Sequence, residues 1–300
     1  MVGGAIFLRT GRVARVRTID LMIRRRHGND FLLITQHDHA LVAGQMAEVF
    51  GNQRFASPTP REQAIEGVKL HDCGWPVHDD EPTLNGQGLP LDVFETPRPI
   101  AFAVWTASVE RAVAKDPYAG LLVSLHVLSL SLLATEAARG TARFDMENPQ
   151  DRFAIIKFQQ RELERQEDLR QRLGLRSEKA THKAVAKELR QQSEDQLQFN
   201  FAMLQVMDQI SLAACCTEPP VKQSRDLPAA PGGEKVKLAM VREGNDVIVE
   251  PWPFADERVE LMIPATHVPG QAYRSEKELR DTIAAAPAEI ISCAVRATGL

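Results

Sequence analysis

The residues of this chain whose types and placement could do chemistry are His39, the adjacent pair His71-Asp72, and Asp208. Each lies in, or at the end of, an otherwise apolar helical pattern. An imidazole or carboxylate in such a place is costly unless something satisfies it. Imidazole nitrogens and carboxylate oxygens together suit a divalent ion: Mn, Fe, Co, Ni, Zn or Mg. Four side chains from three helices can hold one ion and leave positions open for water or substrate. A metal-bound water ionises near neutral pH and attacks an ester. Asp208 has Leu204, Val206, Met207, Ile210 and Leu212 around it in sequence. Ionised there, it needs a metal, a backbone amide or an arginine beside it, unless its face is solvent-lined.

His126 lies in the apolar run Leu121 to Leu128. It reads either as a satisfied core histidine or as a pocket residue that orients a substrate phosphate or ligates a second metal. Other polar residues have ordinary readings. Cys73 reads as a small buried residue, Trp75 and Trp105 as core, and Lys69 as solvated. His78, Asp79, Asp80 and Glu81 form a turn-like polar cluster. Arg61 and Arg98 could bind phosphate if they face the pocket.

The elements that must position these residues follow from periodicity and breakers. Phe31 to Thr35 is a short apolar strand, with Thr35 or Asp38 capping the helix that follows to about Phe50. His39 shares a face with Val42, Met46 and Val49 at helical spacing, and His37 lies about 200° around from it. A second helix carries Ala64, Ile65 and Val68 and ends at His71-Asp72, with Gly74 as its breaker. The proline-rich segment 75–99 reads as an ordered loop over the helices. Helices are expected at 101–115 and 119–138. A solvated, charge-interleaved helical hairpin is expected at 151–192, followed by an apolar helix, 198–216, that carries Asp208. Residues 218–234, rich in Pro and Gly, read as a linker. Beyond it Gly244-Asn245 marks a β-hairpin, with further strands at 258–263 and 289–296 and a helix at 276–285.

Composition narrows the classes. The chain has 300 residues, 44% hydrophobic and 25% charged, with a net charge of −4, so nothing in its charge invites nucleic acid. Its four cysteines follow neither zinc-ribbon nor disulfide-framework spacing, which suits a reducing, cytoplasmic compartment. Residues 1–26 carry seven Arg and one acid and lack the apolar stretch of a secretory signal. Residues 1–21 are therefore read as a disordered extension, with Met22 an alternative start, or as a transit peptide. The longest apolar run, Ala119 to Ala134, contains His126 and three Ser and reads as a buried core helix rather than a membrane span.

The order His39, His71-Asp72, Asp208 resembles the HD superfamily of metal-dependent phosphohydrolases, all-helical proteins named for that His-Asp pair. The wording around these residues is closest to an HD-like family of unknown function. The matching stretches are Phe31 to Ala40, His71 to Trp75, Ser124 to His126 and Pro251 to Phe254, and the resemblance covers nearly the whole chain from Met22. It implies a mainly α fold: an HD-like helical bundle over 22–217, with a small β-containing C-terminal part over 235–300. It implies that His39, His71, Asp72 and Asp208 hold the metal, that Asp72 also positions the attacking water, and that His126 orients the substrate. Two-metal members, including di-iron oxygenases, carry further histidines between the pair and the last Asp. Here only His78, His126 and His182 lie there, so one metal is expected and a second is left open.

The leading expectation is a hydrolase of a phosphate ester, a nucleotide or small phosphorylated metabolite. The alternatives are an HD-type iron-dependent oxygenase and a non-catalytic ligand-sensing or interaction protein. The charged hairpin is compatible with a homodimer.

Overall fold

The structure, a computed structural model, describes residues 22–76, 82–137, 148–175, 183–217 and 223–299. Two strands open it, β1 (Met22–His27) and β2 (Asp30–Thr35), joined at Gly28 with φ 61°. Helices follow: α1 (Gln36–Glu48), α2 (Arg61–Leu70), α3 (Arg98–Lys115), α4 (Pro117–Ala137), α5 (Pro149–Arg172) and α6 (Lys183–Cys215). The chain ends with β3 (Gln223–Pro228), β4 (Lys235–Glu243), β5 (Asp246–Glu250), β6 (Arg258–Val268), α7 (Glu276–Ala285) and β7 (Ala288–Arg296).

All seven strands form one sheet in the order β1-β2-β6-β7-β5-β4-β3. Every pairing is antiparallel except β5 with β7. The expectation of a mainly α, HD-like bundle with a minor β part is therefore corrected. The molecule is 51% helix, and its curled mixed sheet takes up roughly 23% of the residues. The C-terminal strands are no appendage either, because β6 pairs with β2 in the register Phe31↔Val268 to Leu33↔Thr266.

Local sequence explains each layer. Phe31 to Ile34 are all buried, as in a strand covered on both faces. Along β6, exposed and buried positions alternate, so Val259, Leu261 and Ile263 enter the core. The main core joins these residues to Val42 and Met46 of α1, Leu121 and Leu122 of α4, and Met203, Leu204 and Met207 of α6. The apolar run is thus a core helix, and among the described residues no helix is long and apolar enough to cross a membrane.

Two further expectations change. The linker 218–234 contains β3, which pairs with β4 from Gln223↔Met240 to Pro228↔Lys235. The 151–192 hairpin and the apolar helix after it are two elements rather than three, since α6 runs unbroken for 33 residues. The described part of the proline-rich loop packs on the helices, with Leu91 and Val93 against the core around Trp75 and Trp105, and it also ties to the sheet edge: Asp92 accepts from the Arg24 backbone N–H at 2.9 Å, and Tyr273 N–H donates to Gly88 O at 2.7 Å. Residues 1–21, His78 to Glu81 and His182 lie outside the described residues.

Pro251 to Phe254, one of the stretches noted in the sequence, has a structural role. Phe254 is buried against Phe50, and the Gly51 N–H donates to Pro253 O at 3.0 Å. This strap fixes the end of α1 to the sheet and so fixes the helix that carries His39.

Candidate metal centre

Each site residue is placed by an identifiable local device. At the junction of β2 and α1, Thr35 caps the helix by accepting from the Asp38 N–H at 2.8 Å. One turn on, His39 points into the protein beside Val42 and Met46, as its spacing requires. His71 caps the end of α2, and Asp72 begins the turn that follows. The turn is held against α3: Gly74 N–H donates to Ser108 Oγ at 2.8 Å, and a Cβ at Gly74 would lie 2.1 Å from Val104 O. Gly74 follows the end of α2, as expected of a helix breaker, and its φ is not positive. Close packing is what demands glycine there. Asp208 comes from the middle of α6 and His126 from α4.

These five residues converge. Asp208 Oδ1 lies 3.0 Å from His39 Nε2 and 3.6 Å from His71 Nε2, and Asp72 Oδ2 lies 3.5 Å from His71 Nε2. The two Nε2 atoms are 3.3 Å apart, with the rings edge to face. His126 Nε2 stands 4.0 Å from Asp208 Oδ2, too far for a hydrogen bond, and its ring packs edge-on against His71. Two overlapping ligand groups result, His39/His71/Asp72 and His71/His126/Asp208, each with its donor atoms within 4.8 Å of one another. The His39 and His71 side chains are sealed, at 1% and 0% exposure, while Asp208 and Asp72 keep 13% and 10%. The carboxylates therefore face the way in.

The ring tautomers follow from the surroundings. His71 Nδ1 is 2.7 Å from Val68 O, which can only accept, so Nδ1 carries the hydrogen. Ser211 Oγ donates to the His39 backbone O at 2.8 Å and sits 2.7 Å from His39 Nδ1. Its one hydrogen being used, it accepts from Nδ1–H. In the neutral rings both Nε2 atoms are then bare lone pairs, aimed at one another and at carboxylate oxygens. Nothing but a cation belongs between them. Two nitrogens on one tetrahedral ion at about 2.05 Å would be about 3.3 Å apart. The backbone carbonyl and Ser211 play the part usual for groups that orient metal-ligating imidazoles.

The electrostatics agree. Burial opposes charge on His71, yet Asp72 and Asp208 outweigh it and raise its pKa to about 9. Burial likewise works against ionised Asp208, but His39 and His71, wherever they carry a proton at Nε2, hold it well below the ordinary carboxylate range. Burial pushes His126 down to about 4, so it is neutral at physiological pH, and its Nδ1 has no hydrogen-bond partner.

The remaining sequence candidates are placed elsewhere. Lys69 is paired with Glu48, and Arg61 donates to Glu48 O. Cys73 is buried, with its thiol raised to about 11 by that burial. Trp105 is core as expected. Trp75 is core and also serves the site, because its Nε1–H donates to Asp72 Oδ1 at 3.1 Å and turns Oδ2 toward the cluster. The Arg98 side chain lies outside the described residues. Sequence reasoning passed over Ser211, although it stands one turn after Asp208 on the same face. It also passed over Arg225 of β3, which lies in the supposed linker and whose charge acts on Asp208.

A family model described as "Protein of unknown function (DUF3891)" matches residues 22–270. The chain belongs to the DUF3891 family. The DUF3891 match takes in all five cluster residues and ends before α7 and β7. No curated protein and no solved structure matches the chain.

Proposed function

We propose that this chain is a metal-dependent hydrolase of a phosphate ester, a nucleotide or other small phosphorylated metabolite, in the manner of the HD superfamily. The likeness to that superfamily rests on the cluster residues and not on the sheet. One observation carries the reading: two imidazole lone pairs, oriented by hydrogen bonds at their far nitrogens, meet at 3.3 Å beside two carboxylates. In this reading His39, His71, Asp72 and Asp208 hold one divalent ion. Such an ion polarises a phosphoryl oxygen and makes its bound water acidic enough to ionise near neutral pH.

The protein's own groups do the rest. Asp72, steadied by Trp75, is placed to accept a hydrogen bond from the attacking water and hold its lone pair toward phosphorus. His126 is a neutral imidazole with hydrogen-bonding capacity to spare, and it orients a substrate oxygen. The sealed histidine side of the cluster keeps bulk water from competing.

The test is hydrolysis of nucleotides and of aryl phosphate mono- and diesters by protein reconstituted in turn with Mn, Fe, Co, Ni and Zn. The expected result is turnover that a chelator abolishes and re-addition of the ion restores. No turnover with any of the ions removes the hydrolase reading.

A further inference from the structure

We propose that Arg225 is the anion anchor of this centre, a guanidinium that takes two oxygens of the substrate's phosphoryl group while the cluster takes a third. The proposal rests on the hydrolase reading and names the group that would confer its preference for phosphate.

The sequence of β3 sets the direction of the side chain. Ser224 and Asp226 are exposed, while Leu227 is fully buried in the main core, so Arg225 and Leu227 share the inward face. The cross-strand neighbour of Arg225 is Leu238, also fully buried. That face packs on α6, the helix that carries Asp208. The charge of Arg225 acts on both Asp208 and His126. Among the described residues it nevertheless makes no hydrogen bond or ion pair.

Other inward-facing arginines of this protein are tied down. Arg25 donates to Ala214 O and Asn245 Oδ1, Arg170 forks onto Glu194, and Arg242 donates to Cys216 O. A half-buried guanidinium with its five donors unspent is expensive to keep. Its planar fork matches two oxygens of a phosphate, and it cannot lose its charge. Asp208 is near enough to hold it by charge without consuming its hydrogen bonds, which leaves them for a ligand.

The experiment is a calorimetric titration of inorganic phosphate into the metal-loaded full chain, the parent beside Arg225→Gln and Arg225→Lys, with metal content measured in each. All three are expected to carry the same metal. Arg225→Gln should bind phosphate about ten- to a hundred-fold more weakly, the loss of a charge-assisted pair of hydrogen bonds. Arg225→Lys, which keeps the charge but not the fork, should recover part of that loss and serves as the readout if the Gln variant does not fold. With an aryl phosphate, KM should rise more than kcat falls. Phosphate affinity unchanged within twofold in both variants overturns the anchor and leaves the metal reading standing. A parent chain that takes up no metal overturns the hydrolase reading, and the anchor with it.

Discussion

On the proposed reading, Asp208→Asn is expected to reduce hydrolysis by the metal-loaded protein to the level of the ion alone, and to do so by releasing the ion. Among the described residues, Asp208 is the one carboxylate that reaches three imidazoles: Oδ1 to His39 and His71, Oδ2 toward His126. Even an outer-shell partner of a metal ligand costs about 10–100-fold in metal affinity when removed. Loss of a charged ligand should therefore exceed about 100-fold. Asparagine is chosen because it keeps the volume of aspartate between Met207 and Ile210, and because its amide N–H groups can donate to the bare Nε2 lone pairs. The metal-free fold is thereby satisfied while the ion is refused. Metal content, turnover and Tm are measured together: the first two collapse and Tm of the chelated protein holds. Retention of metal with an affinity within tenfold of the parent would show that Asp208 is not a ligand.

The second large effect is on pH. Without metal, the cation between the histidines is a proton, and His71 holds it with a pKa of about 9 rather than 6.5. A raised histidine pKa gives stability that is fully present below pH 6.5 and is lost as pH rises through about 9. For this buried group that is on the order of 3 kcal/mol. His126 works in the opposite direction: lowered to about 4 by burial, it stabilises the fold above pH 6.5 and removes that stability as pH falls through about 4. The metal-free chain is thus most stable near pH 6.5. Metal binding displaces the His71 proton, so the loaded chain escapes the alkaline loss. Thermal melts with and without chelator from pH 5 to about 9.5 should diverge, the gap widening from pH 6.5 upward. Parallel curves would mean that the ion does not bind where that proton sits.

The ligands were legible in the sequence for a local reason, and the sheet was hidden for a non-local one. His39 announces itself because Val42 and Met46 recur on its face, and Asp208 because apolar neighbours make an acid conspicuous. That they meet does not follow from spacing, since His39 and His71 are 32 residues apart and His39 and Asp208 are 169 apart. Only the order of residues shared with a known superfamily suggested it. That same likeness pulled the fold toward an all-helical bundle. Arg24 to Arg26 were counted with the arginine-rich start of the chain and assigned to no element, yet they form half of β1. There Arg25 is buried and neutralises the Ala214 carbonyl at the end of α6. β3 was hidden between prolines and glycines, because a sheet edge tolerates the residues that a linker prefers. Arg225 was hidden with it: a cation two residues before a buried leucine means little until the partner strand shows which face is inward.

The central claim is that the His39/His71 pair closes on a metal ion. It is tested most directly by elemental analysis of the full chain, purified without chelator and without a metal-affinity column. The parent is run beside a folded His71→Ala, Asp72→Ala double variant. The account predicts about one transition-metal ion per parent chain and none in the variant. A parent that stays metal-free after incubation with Mn, Fe, Co, Ni and Zn would contradict it.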